Sequence, residues 1–204
     1  MGFAVFIEPE GELRTNILKW KKMIEAKFPN QSYCSHPPHS TLIYVNIKQE
    51  EMALVAVGKA LGGLPAFNNK IVEADVFWND SATGGGHTLY WKIQSNQILF
   101  DLQRQVAESL HPFISNNQEP KFVKNAPLLK NSFDCYGFPF IGNHWIPHMT
   151  IASLKTCQND PLIEEFLEQS CEFELDVTEV SCWRVENDQH NCLEKYKLLC
   201  DELI

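Results

Sequence analysis

The same order of predicted strands and helices occurs twice along the chain. β-Branched and aromatic residues concentrate in short runs that predict strands, and apolar residues at steps of three and four predict helices between them. The first copy has strands at 3–8, 39–47 and 70–78, separated by amphipathic helices. After a glycine-rich turn at 82–86, the order restarts with a strand at 87–94, a helix and a strand at 148–154. A chain that repeats one unit in this way favours two similar lobes.

This repeat places the chain in the α+β class. Residues 1–80 and 87–204 are expected to form two pseudo-symmetric lobes, each with an antiparallel sheet and helices, which face each other across a central cleft. The lobes are free to exchange terminal strands, so a single bilobal domain over 1–204 is expected. The second half continues with a helix, then a long strand or bent pair of strands. The last segment, 192–203, fits either a closing strand or a short helix.

A short pattern, Pro-His-x-Thr, stands at equivalent places in the two copies, at 38–41 and at 147–150. Each occurrence leads into an apolar run that predicts a strand. Side chains two residues apart on a strand point to the same face, so His39 projects with Thr41 and His148 projects with Thr150. Because the lobes are expected to face each other, the pattern predicts that both pairs converge on one cleft.

Two imidazoles and two hydroxyls form a chemically informative set. Imidazole titrates near neutral pH, so one ring can accept a proton while the other donates one. A threonine hydroxyl can donate a hydrogen bond to a phosphoryl oxygen as negative charge develops there. The residue types therefore predict acid/base chemistry on a phosphate group.

The tetrapeptides HSTL (39–42) and HMTI (148–151) resemble the paired H-x-T-x motifs of the 2H phosphoesterase superfamily, which includes bacterial 2′-5′ RNA ligase-like proteins and cyclic phosphodiesterases. The resemblance implies a bilobal phosphodiesterase that needs no metal or other cofactor and acts on 2′,3′-cyclic, 1″,2″-cyclic or 2′-5′-linked phosphates. It also implies that His39 and His148 are the acid/base pair and that Thr41 and Thr150 contact the phosphate. Which histidine is the base stays open.

Other interpretations of these histidines remain. His36 with His39, and His144 with His148, have spacings found among zinc ligands, but prolines between the members of each pair exclude a continuous helix. A metal site is therefore not expected. A second alternative is a module of the same fold that binds a nucleotide or an RNA end without turning it over.

Charge and cysteine content restrict the partners and the compartment. The net charge of −9 does not suit a protein that grips long nucleic-acid duplexes, although a small nucleotide or a short RNA end remains possible. Seven scattered cysteines without a C-x-x-C pair, and no legible leader peptide, favour reduced thiols in the cytoplasm or the nucleus. No apolar run reaches transmembrane length, so no membrane partner is expected, and the chain is expected to be a monomer.

The second half is longer than the first, mainly because of the stretch 113–143, which is predicted to be largely irregular. Three lysines make this insert locally basic: Lys121, Lys124 and Lys130. A surface loop and a substrate-contacting border of the cleft are both compatible with it. Two aromatic residues before the second motif, Tyr136 and Trp145, are candidates for stacking on a nucleobase.

Overall fold

The computed structural model describes residues 2–115, 117–187 and 189–200. Strands and helices follow one another in an order close to that predicted. In chain order they are β1 (Gly2–Ile7), α1 (Gly11–Lys27), β2 (Ser40–Asn46), α2 (Glu50–Leu61), β3 (Phe67–Asp80), β4 (Gly86–Ile93), α3 (Gln97–Leu110), α4 (Pro127–Tyr136), β5 (His148–Leu154), α5 (Pro161–Leu167), β6 (Glu174–Val177), β7 (Glu179–Glu186) and β8 (Gln189–Lys197).

Within the described residues the strands form two antiparallel sheets of four strands each. The first sheet has the order β2-β1-β7-β8, and the second has the order β5-β4-β3-β6. This arrangement confirms the predicted α+β class with two pseudo-symmetric lobes. The halves at 1–80 and 87–204 exchange strands: β3, from the first half, pairs with β4, while β7 and β8, from the second half, complete the first sheet.

The helices exchange between the lobes as well. Helix α1 connects two strands of the first sheet, but it packs with the second lobe, where Trp20 meets Phe166 of α5 edge-on at 5.2 Å between ring centroids. Helix α3 connects two strands of the second sheet, but it packs on α2 and β2. Helix α2 in turn belongs to the first sheet, since the Tyr196 hydroxyl on β8 donates to the Leu54 carbonyl at 2.7 Å. Each lobe is therefore covered by one helix from the other half.

The buried residues show why the sequence predicted these elements. All six residues of β1 are buried, as expected of a short continuous apolar run between two other strands. Helix α1 buries Leu13, Ile17, Trp20 and Ile24, which recur at steps of three and four. Burial of one large apolar side chain contributes roughly 1.5–3 kcal/mol to stability, so these faces fix where each helix lies.

Two segments differ from or complete the sequence prediction. The insert at 113–143 was expected to be largely irregular, but it contains helix α4, which begins with Pro127 and ends at Gly137, whose φ of 63° stops the helix. Those two signals are standard helix boundaries, and the helix between them is only 10 residues long, too short for a clear periodicity. The C-terminal segment forms strand β8 up to Lys197, and 201–204 lie outside the described residues. No helix in the described part has the length and apolar character to cross a membrane.

Candidate phosphate-handling site

Both Pro-His-x-Thr motifs lie at the edge strands of their sheets. Strand β2 begins directly after His39, and β5 begins at His148. These two edge strands approach each other, with pairs of Cα atoms within 8 Å. The fold therefore brings the two motif strands together, although they belong to different sheets.

The strand pairing around the two threonines is the same in both lobes. Thr41 pairs with Phe6 on β1, and Thr150 pairs with Tyr90 on β4, so an aromatic residue stands opposite each threonine. Just beyond this pair the register skips one residue, Leu42 in the first sheet and Ile151 in the second. Such a β-bulge bends the strand and redirects its side chains. Each lobe thus bends its motif strand at the residue after the threonine.

The two histidines are held in the same way. His39 Nδ1 lies 2.7 Å from the Pro37 carbonyl oxygen, and His148 Nδ1 lies 2.7 Å from the Ile146 carbonyl oxygen. A carbonyl oxygen only accepts, so Nδ1 must carry the proton and donate it in both rings. In each neutral ring Nε2 is then the unprotonated nitrogen, and it takes no part in the bond to the carbonyl group. The same two-residue backward bond sets the tautomer of each histidine.

His39 lies in an aromatic and basic environment. Its half-buried ring stacks on Phe6, with centroids 3.8 Å apart and planes 17° apart, and the His190 ring lies 5.8 Å away. Burial lowers the pKa of His39 to about 3; the bond to the Pro37 carbonyl opposes this shift, and His190, Lys21 and His36 add to it. His39 is therefore neutral at physiological pH in the ligand-free protein.

His148 lies in a different environment. Its ring meets the rings of Phe77 and Tyr90 edge-on, each at 5.1 Å between centroids. Burial lowers the pKa of His148, while the Ile146 carbonyl and the charge of Asp80 oppose this shift. The Tyr90 hydroxyl donates to Asp75 Oδ2 at 2.6 Å, and burial and that carboxylate raise the pKa of Tyr90 above its usual range. An acidic group thus favours the protonated form of this histidine, whereas basic groups disfavour it at the other.

The motif threonines are half-buried, and the structure gives their hydroxyls no hydrogen bond within the described residues. Each hydroxyl is thus able to donate to a ligand. Ser40, the polar residue between His39 and Thr41, is fully buried, as alternation along a strand requires. The described residues contain no group of three or more His, Cys, Asp or Glu side chains that could hold a metal ion.

The two aromatic candidates for base stacking each pack against another ring of the protein. Trp145 is only 5 % exposed, and its ring packs against Phe100, with centroids 6.1 Å apart, so burial in the core argues against a stacking role. Tyr136 is half-buried at the end of α4 and meets His111 edge-on at 6.4 Å. Its stacking role stays a prediction.

Several residues near the motifs could not be found from local sequence. Phe6, Tyr90 and Phe77 belong to predicted strands, but only the register places them against the motif residues. His190 arrives on β8 from the far end of the chain, and its ring lies 4.4 Å from that of His36. A cavity of about 640 Å³ opens beside the loop that leads to His39, and Lys21 and His36 are among its lining residues.

Comparisons with known proteins agree with this architecture. A family model described as the 2′-5′ RNA ligase superfamily matches residues 9–189, a span that contains both motifs. TT0787 of Thermus thermophilus is 15 % identical, with 99 % of this chain and 100 % of that chain covered and a TM-score of 0.65. LigT of E. coli in its apo form is 13 % identical, with 97 % and 98 % covered and a TM-score of 0.58. Other LigT structures hold NADP+, ATP, phosphate or 3′-AMP. No curated protein sequence matches the chain.

Proposed function

Because this chain belongs to the 2′-5′ RNA ligase superfamily, we propose that it is a phosphodiesterase that works without a metal and uses His39 and His148 as its acid/base pair. The family supports phosphodiester chemistry in general. The observation that carries the specific proposal is the repeated geometry: two histidines with the same Nδ1 bond, each two residues from an unbonded threonine hydroxyl, on edge strands that meet.

The proposed substrate is a nucleotide or short oligonucleotide with a 2′,3′-cyclic, 1″,2″-cyclic or 2′-5′-linked phosphate. A net charge of −9 disfavours long duplexes, which need an extended cationic surface. The LigT structures with NADP+, ATP and 3′-AMP support the class of small nucleotides, since the two chains share a fold. A small ligand needs only the local site between the two motifs.

We assign the base role to His39 and the acid role to His148. Burial, together with His190, Lys21 and His36, disfavours a proton on His39, so the ring is neutral and its Nε2 is open to accept a proton. Burial lowers the pKa of His148, but Asp80 opposes this shift, and the negative charge of a bound phosphodiester would oppose it as well and favour the protonated ring. The surroundings of the two rings therefore separate two roles that the backbone geometry leaves equivalent.

In the proposed reaction, His39 Nε2 takes a proton from a water molecule while the water oxygen bonds to phosphorus. The bond between phosphorus and the leaving ribose oxygen breaks, and His148 donates its Nε2 proton to that oxygen. Thr41 and Thr150 donate hydrogen bonds to the two non-bridging oxygens, where negative charge increases in the transition state. The products are a phosphate monoester and a free hydroxyl, and one proton exchange with water restores both rings.

The test is turnover in the presence of EDTA. We expect the purified protein to hydrolyse at least one member of a panel of 2′,3′-cyclic mononucleotides and 2′-5′-linked dinucleotides, with the product phosphate position assigned by ³¹P NMR. The double variant His39→Ala/His148→Ala is the control for a contaminating enzyme. Binding of these ligands without turnover would identify the alternative, a nucleotide or RNA-end binding module. Turnover that is lost in EDTA and restored by zinc or manganese would contradict the metal-free mechanism.

A further inference from the structure

The carbonyl group of each bulge residue is bonded by a buried side chain from a helix of the opposite half. Gln103 on α3 donates from Nε2 to the Leu42 carbonyl oxygen at 2.9 Å. Lys21 on α1 donates from Nζ to the Ile151 carbonyl oxygen at 2.7 Å. Gln103 is 0 % exposed and Lys21 is 5 % exposed. Each helix that crosses between the lobes therefore contacts the motif strand at the place where that strand bends.

The same two side chains also bond the loops that lead into the motifs. Lys21 Nζ donates to the Tyr33 carbonyl oxygen at 2.7 Å, and Tyr33 precedes His39 by six residues. Gln103 Oε1 accepts from the Gly142 amide at 2.9 Å, and Gly142 precedes His148 by six residues. Each side chain thus links the bulge of one motif to the loop before the histidine of the other.

We infer that Lys21 and Gln103 are positioning residues that set the spacing of the two histidines and the direction of the two threonine hydroxyls. Neither side chain needs to touch substrate for this role. Both side chains act through the main chain, because each one bonds a backbone carbonyl at the bulge of one motif and a backbone group in the loop before the other motif. This inference rests on the proposed function, since the spacing it concerns is that between the proposed acid and base.

The chemistry of Lys21 supports this role. Burial lowers its pKa to about 8, and none of the ion pairs of the described residues involves it. An ammonium group without a carboxylate partner is costly to bury, and a methionine would fill the same space at a lower cost. What methionine cannot supply is the pair of hydrogen bonds that joins Tyr33 to Ile151. The polar side chain therefore provides defined geometry rather than packing alone.

The experiment compares Lys21→Met and Gln103→Leu with two matched controls. Lys27→Met removes another polar contact between α1 and the second lobe, the 3.0 Å ion pair to Asp160, without touching a motif. Val106→Ala opens a cavity on α3 without touching a motif carbonyl. We expect all four variants to lower the melting temperature. Only Lys21→Met and Gln103→Leu should lower kcat, by about 10–10² fold with KM changed less than about 3-fold, because misplaced groups slow the chemical step.

Rescue by an added amine separates positioning from stability. Lys21 lines the 640 Å³ cavity, so a small primary alkylammonium ion can reach the place of its side chain. In Lys21→Ala, ethylammonium should restore kcat at least about 5-fold, whereas tetramethylammonium, which has no N–H donor, should not. Lys27→Ala should show no rescue by either ion. If Lys21→Met does not fold, Lys21→Gln, which keeps two N–H donors, replaces it.

The possible outcomes distinguish this inference from the proposed function. Active wild type with kcat unchanged in both Lys21→Met and Gln103→Leu would overturn the inference and leave the function intact. If the wild type turns over no substrate, the function fails, and crystal structures of the two variants decide the inference. A shift of Thr150 in Lys21→Met and of Thr41 in Gln103→Leu would support it, and unchanged bulges would overturn it.

Discussion

The ring of His39 stacks on Phe6, and the basic side chains of His36 and His190 lower its pKa further. The ring of His148 instead contacts Phe77 and Tyr90 edge-on, and the negative charge of Asp80 acts to raise its pKa. Yet both rings donate from Nδ1 to the carbonyl two residues earlier, and both precede a threonine and a bulge. The comparison separates two properties of the proposed acid/base pair. The repeated backbone fixes the position of each ring, and the unrepeated neighbours act differently on the pKa of the two rings.

Replacement of each motif histidine gives the largest expected effect. His39→Ala and His148→Ala should each lower kcat by ~10²–10⁴ fold, the usual contribution of a positioned acid or base, and the double variant should be far less than multiplicatively worse. An activated aryl phosphodiester, whose leaving group needs no proton, sharpens the comparison. With it, His148→Ala should regain most of its activity and His39→Ala should not. Recovery of His39→Ala instead would reverse the assigned roles.

The two threonines are expected to be equivalent. Thr41→Val and Thr150→Val each remove one hydroxyl donor with little change in shape, so each should lower kcat by ~10²–10³ fold, as loss of a single oxyanion donor does. Inhibition by inorganic phosphate should weaken in parallel. The matched serine variants, which keep the hydroxyl, should retain most activity. A large effect at one threonine and none at the other would break the symmetry of the phosphate contacts.

Acid titration of stability compares the two rings in the ligand-free protein. An unperturbed histidine has a pKa of 6.5, whereas burial lowers the pKa of His39 in the folded protein to about 3. Below pH 6.5 the unfolded state therefore binds one more proton than the folded state. The free energy of unfolding consequently falls as the pH falls. His39→Gln removes this contribution, and its stability should decline less steeply between pH 6.5 and 4, by up to ~1.4 kcal/mol per pH unit. His148→Gln should also make the decline less steep, because burial lowers the pKa of His148 in the same direction. Urea unfolding at a series of pH values measures both, and equal slopes in all three proteins would contradict the comparison.

The smallest expected effect concerns the insert, which has no counterpart in the first half. Lys121 and Lys124 are exposed, whereas Lys130 is bonded to Asp134 at 2.7 Å. If the insert borders the substrate, Lys121→Ala/Lys124→Ala should raise KM for an oligonucleotide by about 2–5 fold at low salt and leave a cyclic mononucleotide unaffected. Lys130→Ala is the control, because its charge is already paired. An equal change in KM for both substrates would indicate that the insert is a surface loop without a substrate contact.

The sequence was sufficient for the order of elements and for the two motif strands, because both depend on local periodicity. The sequence does not specify the register in which strands pair. The bulges at Leu42 and Ile151, and the aromatic partners Phe6 and Tyr90, therefore could not be predicted from it. The exchange of α1 and α3 between the lobes was also not predicted. An apolar helix face indicates that the helix is buried on that side, but it does not indicate which sheet the helix packs against. Trp145 was a candidate for stacking on a nucleobase, although it is buried in the core. The sequence does not distinguish these roles, because an indole ring is suited both to base stacking and to core packing.

The exchange of strands has a consequence for how the protein is made. Strand β1 has one neighbour, β2, that follows it closely in the chain, but its other edge pairs with β7, where the Ser181 hydroxyl reaches Phe6 across 175 residues. During synthesis one edge of β1 therefore stays unpaired until β7 has left the ribosome. Contacts this distant form slowly, and an open edge is a site for wrong pairing with another nascent chain. The first sheet is thus open to wrong pairing until β7 takes its place beside β1.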